Sequence, residues 1–396
     1  MKLLKIFAIS LVVGSSSLMA APEWQKAEDA FSAYASGYEL GEDALFSSMA
    51  LSEFSGSEDE ALVDELEPEY DAYLDNVPLR SFEPKTREEL LQSLGEAYRD
   101  GQDPYAFEYT KKDPLVRFVE LKYRDDRHWM IDNFRMTHLV ARKGEVASDG
   151  AEVKNHQVEI RWTSALIDLS KLKGATWVMT TFNTKVGPIK MQTGHAQLFF
   201  EFEPGGVVTP FGEANSIVNS YEGYRDAGTV FNPLLGMMDK YDSIFVMGSF
   251  SDVTLKALKV FNGVDLYDLK VSAKEASKML LNSLALASDR EELARRKYHT
   301  TRNSCVTNQV RIINSGVSAE RRIKEWHTLF GKRVMRTLGS IFPSQIPKTL
   351  KKSGLMLSET HYTGRDRILE LYDKVNSNQP YRAPVQTRIF SALYSE

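Results

Sequence analysis

"GHAQLFFEFEPGGVVTPFG", Gly194 to Gly212, sets the texture of the chain. Its apolar residues run between a Gly-His pair and a Pro-Gly-Gly break, the pattern of strands divided by turns. The same texture extends upstream through "FRMTHLVARKG" from Phe134, "HQVEIRWTSALIDL" from His156 and "TWVMTTFNTKV" from Thr176. Downstream, "DSIFVMGSF" from Asp242 and "DLYDLKV" from Asp265 continue it. The period then turns helical. "SAKEASKMLLNSLALA" opens with Ser272 and Glu275 spaced as a capping box, and "SDREELARRKY" repeats the device with Ser288 and Glu291. Strands first and helices later argue for an α+β domain.

Further upstream the chain reads as mainly helical. "PKTREELLQSLGEAYRDG" places Thr86 and Glu89 as a capping box, sets Leu90, Leu91 and Leu94 on one face and stops at Gly101. The extreme N-terminus has Lys2 and Lys5, an apolar run from Ile6 to Val13 and small residues ending near Ala20, the three-part layout of a secretory signal. The expected scheme is a signal over 1–20, an acidic, mainly helical region over 21–130 and a core domain with a basic C-terminal part over 131–396. The apolar run of the signal is too short to span a bilayer, and nothing later approaches the ~20 apolar residues of a membrane helix. A soluble, exported protein is expected, with no transmembrane helix after signal removal.

Composition is that of a globular protein, with 42% hydrophobic and 26% charged residues. Its net charge of −5 gives no nucleic-acid footprint. Charge is unevenly spread: Ala21–Asn76 holds sixteen Asp and Glu against Lys26 alone, whereas Arg290–Lys352 holds fifteen Lys and Arg against four acids. Two readings stand. Such runs are solvated or mutually attracting faces, or the basic block recruits an anionic partner such as phospholipid head groups.

The only cysteine, Cys305, lies in that block. An unpaired thiol in an exported protein is either a small buried hydrophobe or a reactive group. "NSCVTNQVRIINSG" favours the second reading. Val306, Val310 and Ile313 fall at helical spacing, Asn303 or Ser304 starts the helix, and Gly316 closes it. That places Cys305 in the first turn, where unpaired N–H groups, the helix dipole and neighbouring Arg302 favour a thiolate and offer donors to an oxyanion. A base is needed as well. Of the seven histidines, none forms an i, i+4 pair and no second cysteine completes a thiolate site, so neither metal nor cofactor is expected. His195 stands out at the start of an apolar strand, where it is either a specific partner or a satisfied core histidine. Competing serine signatures are poor, since "SKLK" at Ser170–Lys173 is too short to carry weight.

Four landmarks, "GHAQLFFEFEPGGVVTPFG", "DLYDLKVSAKEASKMLL", "YHTTRNSCVTNQ" and "IPKTLKKSGLM", occur in the order found in the Lnb N-terminal periplasmic domain family, which the chain resembles from about Trp177 to Met356. In that family a Gly-His pair precedes a tyrosine seven positions ahead of an Asn-Cys pair; Tyr298 and Cys305 keep this spacing. The resemblance implies a circularly permuted papain-like core of antiparallel sheet and helices, akin to the lecithin:retinol acyltransferase group, and a Cys–His thiol enzyme, since family members are associated with N-acylation of bacterial lipoproteins. It implies Cys305 as nucleophile and His195 as base, with Tyr298, Asn303 and Ser304 in support of the oxyanion. Ser304 stands where the family usually has Asn, with Asn303 displaced by one. Glu213 is the candidate orienting residue and Glu201 another, and either is equally a surface carboxylate. The implied setting is the periplasm or the exterior of a bacterial envelope, with a phospholipid or lipoprotein substrate; the stretch with Met237, Met238 and Met247 either lines an acyl groove for such a substrate or is plain core. A cysteine peptidase or amidase acting on cell-wall peptide, and an inactive envelope protein, stand as the alternatives.

Overall fold

The computed structural model describes residues 82–99, 116–146, 152–154, 157–186, 189–224, 239–259, 263–300, 303–323, 326–327, 333–334 and 346–376, with single residues at 150 and 236. The expected signal, the acidic stretch over 21–76, Met237, Met238 and Arg302 lie outside the described residues.

In chain order the elements are α1 Arg87–Arg99, β1 Glu120–Arg124, β2 His128–Ala141, β3 Gln157–Asp168, β4 Leu172–Val186, β5 Ile189–Phe202, β6 Val207–Thr209, β7 Gly212–Glu213, β8 Ser216–Tyr224 and β9 Tyr241–Gly248. There follow α2 Phe250–Lys259, β10 Gly263–Leu269, α3 Ala273–Ser288, α4 Arg290–Arg295, β11 Lys297–Tyr298, α5 Cys305–Gly316, β12 Trp326–His327, β13 Arg333–Val334, α6 Ile346–Lys352, β14 Met356–Thr363 and α7 Arg365–Asn376. The fold is α+β.

A 12-stranded sheet runs β14-β10-β4-β5-β8-β9-β2-β3-β6-β7, with β1 on β2 and β11 on β9. All these pairings are antiparallel except β2 with β9, which meet in parallel at Arg135 and Gly248. Alternation along the strands divides the central sheet between two cores. Trp177 and Met179 of β4, with Ala196, Leu198 and Phe200 of β5, face α3 and α5 and pack on Met279, Leu284, Val306 and Val310. Val178 and Val218 point the other way, with Val264, against Phe250, Val253 and Leu258 of α2 and Ile368 and Leu371 of α7. Each Val, Leu, Ile, Phe or Met among them contributes about 1.5–3 kcal/mol on full burial. Helices on both faces explain why β9 is buried at seven of its eight positions.

The N-terminal helix has the expected cap, with the Thr86 hydroxyl accepting from Glu89 N and the Glu89 carboxylate accepting from Thr86 N. Leu90 and Leu94 join Tyr123 and Leu166 in a small core, so α1 and the edge strand β1 are built onto the sheet. Two local expectations need correction. The cap of α4 is Asp289, which accepts from Glu292 N, while Ser288 ends α3 with its hydroxyl on the Leu284 and Ala285 carbonyls. His195 sits midway along β5, because pairing with β4 begins at Ile189 and not at Gly194. Gly316 closes α5 as expected, as its last residue; a Cβ there would lie 2.7 Å from the Glu275 carbonyl oxygen and against the Met279 side chain, so glycine permits α5 to cross α3 closely.

Candidate active site

Cys305 is the first residue of α5 and is held there by local chemistry. Ser304 is the N-cap, extended at φ −101° and ψ 176°; its N–H donates to Thr307 Oγ1 at 2.8 Å and its hydroxyl accepts from Thr307 N at 3.4 Å. Val306, Val310 and Ile313 are fully buried and press the helix on the sheet. Cys305 as a whole is 5% exposed.

A gap in the sheet receives it. β5 and β8 pair from Glu201 and Ser216 to Gln197 and Ser220, and no further; beyond that point β5 continues along β4 and β8 along β9. Ala196 and His195 come next on β5. The backbone N–H of Ala196, the His195 ring and the Tyr298 hydroxyl all hydrogen-bond the Cys305 sulfur. Nε2 of His195 is 2.7 Å from Ser220 Oγ, which leaves Nδ1 for the sulfur.

The electrostatics follow from this cluster. Burial alone pushes the Cys305 thiol up, but the His195 charge, its hydrogen bond, the Ala196 N–H and the Tyr298 hydroxyl together bring it below the ordinary thiol value. Burial alone pulls His195 down, and the Cys305 charge, the shared hydrogen bond and the charge of Glu222 carry it above its ordinary value. Both directions favour a thiolate–imidazolium pair. Tyr298 is held well above the ordinary phenol value, first by burial and then by the Cys305 charge, so it stays a neutral donor.

Tyr298 is fixed by β11, where it pairs with Tyr241, and its ring stacks on Tyr221 at 5.8 Å. Asn303 lies next to the site but spends its side chain on the loop. Nδ2 donates to Tyr221 Oη at 2.6 Å and to the Lys297 carbonyl at 2.8 Å, and Oδ1 accepts from Asn308 at 2.9 Å. The structure therefore brings together Cys305, His195, Tyr298, Asn303 and Ser304, the last two as supports of the loop and helix start.

Glu213 is not brought to His195. It lies on β7 at the far edge of the sheet, accepting from Gly205 N at 2.6 Å, and Glu201 pairs with Lys173 at 2.6 Å near the end of β5. The carboxylate near His195 is Glu222, whose Oε1 accepts from Ser220 Oγ at 3.0 Å. Alternation in "NSYEGY" puts Ser220 and Glu222 on one face, but only the register of β8 against β5 sets that face beside His195.

Other expectations resolve as structure. Ser170 donates to Asp168 at 2.6 Å and Lys173 is paired, so "SKLK" runs from a short 3-10 turn into the start of β4. Met247 is fully buried core. Several cations of the basic block are paired within the molecule: Arg290 with Glu120, Arg295 and Arg296 with Glu292, Lys297 with Asp242, and Arg321 with Glu275. Among the described residues no cluster of His, Cys, Asp or Glu is arranged to hold a metal ion, and no helix is long and apolar enough to cross a membrane.

No curated protein and no solved structure matches the chain. A family model does, over a segment that holds His195, Ser220, Glu222, Tyr298 and Cys305. Residues 160–339 match the model of the Lnb N-terminal periplasmic domain family.

Proposed function

We propose that this domain is a Cys–His thiol enzyme of the bacterial envelope, periplasmic or secreted, that takes an acyl group from a lipid ester onto Cys305 and passes it to an amine or to water. The observation that carries this reading is the convergence of His195, the Ala196 N–H and the Tyr298 hydroxyl on a thiol at a helix N-terminus. A structural cysteine needs none of these partners. The order of a histidine strand before a cysteine helix suits a circularly permuted papain-like core.

The chemistry runs in two halves. The Cys305 thiolate attacks the ester carbonyl carbon of a phospholipid; the C–S bond forms and the carbonyl oxygen becomes an oxyanion, steadied by the Tyr298 hydroxyl and first-turn amides. The tetrahedral species collapses, the C–O bond to the lysolipid breaks, and the departing oxygen takes the proton held on His195. An amine or water then attacks the thioester, His195 accepts its proton, and the thiolate leaves. A lipoprotein amine as acceptor would make the reaction an N-acylation.

The test is the intact mass of the protein after incubation with a short-chain phospholipid, beside Cys305→Ser and His195→Ala. The expected result is an added acyl mass on the wild type alone, removed by hydroxylamine. No adduct on the wild type, with iodoacetamide alkylating Cys305 no faster than a free thiol at pH 7, overturns the reading and leaves the cysteine structural. No adduct with a thiol that is still fast overturns the lipid ester and moves the substrate to a peptide or amide.

A further inference from the structure

The ring of His195 is supported from the side of the sheet opposite α5. Residues 195, 197 and 199 of β5 share a face with Ser220 and Glu222 of β8 and with Arg135 and Thr137 of β2, and that face is covered by α2. From the ring a continuous chain leads away from the sulfur. Nε2 of His195 meets Ser220 Oγ at 2.7 Å; Ser220 Oγ donates to Glu222 Oε1 at 3.0 Å; the same oxygen accepts from Arg135 at 3.4 Å and lies 3.6 Å from Lys256 Nζ. Arg135 and Lys256 are in turn gripped by Asp252, at 2.6 and 3.2 Å, and Asp252 accepts from Thr137 at 2.8 Å.

This cluster is deeply placed, with Arg135 and Asp252 only 3% and 4% exposed. The buried Asp252 and partly buried Glu222 carboxylates cancel the Arg135 and Lys256 cations, which is the condition under which such charges are retained. A charge-neutral cluster needs no histidine to satisfy it. The serine is nevertheless interposed between ring and carboxylate, and it can accept from an N–H while donating to a carboxylate, which fixes the tautomer and orientation of the ring.

We propose that Ser220 and Glu222, clamped by Arg135, Lys256 and Asp252, form the positioning relay of His195, so that the acid–base group of the site is held by a serine-linked carboxylate on β8. The inference rests on the Cys–His reading above and supplies the orienting residue that Glu213 does not. The groups facing His195 are Ser220 and Glu222 from β8, Lys256 and Asp252 from α2, Arg135 from β2, Tyr298 from β11 and Cys305 from α5. Their effects on the ring have opposite signs. Glu222 favours the imidazolium and Lys256 opposes it. A carboxylate that merely holds the fold gives no reason for that opposition to reach the thiol.

The experiment is the rate of Cys305 alkylation by iodoacetamide against pH, from about 5 to 9, on the folded full chain. Glu222→Gln and Ser220→Ala are expected to move the thiolate inflection to higher pH and slow alkylation at pH 6 by about tenfold, roughly the effect of one unit of thiol pKa. Lys256→Met is expected to move the inflection to lower pH, and Ser220→Thr, which keeps the hydroxyl, to restore the wild-type profile. A wild-type thiol that already titrates as a free cysteine overturns the Cys–His reading. A shifted wild type whose profile is unchanged in Glu222→Gln, or moved the same way by Lys256→Met, overturns the relay alone.

Discussion

His195 and Ser220 meet on a diagonal of the β5–β8 ladder: Ser220 opposes Gln197, the last register pair, yet its hydroxyl is 2.7 Å from Nε2 of His195. The contact spans the point where the two strands part. One neighbour of the ring is thus the helix N-terminus that fills the gap, and the other is the strand that leaves it. Diagonal neighbours in antiparallel sheets are within reach of long side chains, and here the reach joins the histidine beside Cys305 to the partly buried Glu222 carboxylate.

The slot before the cysteine is a helix cap, which accounts for the Ser304 departure from the family's usual Asn. Both residues are strong N-caps. Ser304→Ala removes the acceptor for Thr307 N and should cost about 1 kcal/mol, read as a lower urea midpoint. Ser304→Asn keeps a capping oxygen and should cost less. A loss in Ser304→Asn equal to that in Ser304→Ala would show that the cap is not what the position requires.

Gly316 is set by the α3–α5 crossing. Gly316→Ala gains up to about 1 kcal/mol of helix propensity. It also places a methyl 2.7 Å from the Glu275 carbonyl oxygen, and overpacking of this kind costs about 1–3 kcal/mol. The net expectation is a fall in thermal midpoint that persists in a Met279→Ala background, because backbone and not only a flexible side chain is in the way. A midpoint at or above that of the wild type in either background contradicts the close crossing.

His138, buried on β2, is pulled down to about 3, first by burial and second by the charge of Arg161. Its unfolded value is 6.5, so between the two the unfolded chain binds the extra proton and stability falls as pH falls. At full difference the slope is about 1.4 kcal/mol per pH unit, and between pH 6.5 and 5 the loss should be roughly 2 kcal/mol. His195 is shifted upwards, so its contribution is lost as pH rises through its folded value and lies above this window. Urea titrations at pH 6.5 and 5 on wild type and His138→Gln check this. An equal loss in both places the acid sensitivity elsewhere.

The sequence by itself determined the α+β class, the strand cores over 134–250, the helix that begins at Asn303 or Ser304 and the position of Cys305 in its first turn. These are consequences of period, caps and local spacing, which act over a few residues. The pairing of His195 with Cys305 was legible only through a family resemblance, since β5 and α5 are over a hundred residues apart in the chain. Glu222 and its serine link were not legible at all, and Glu213 was named in their place. Which carboxylate stands behind the ring depends on the register of β8 against β5 and on where that ladder ends, and a slip of one residue would turn Ser220 and Glu222 to the other face. Tertiary packing made that choice by covering one face of the sheet with α5 and the other with α2, so that Cys305 and the charge clamp reach the same histidine from opposite sides.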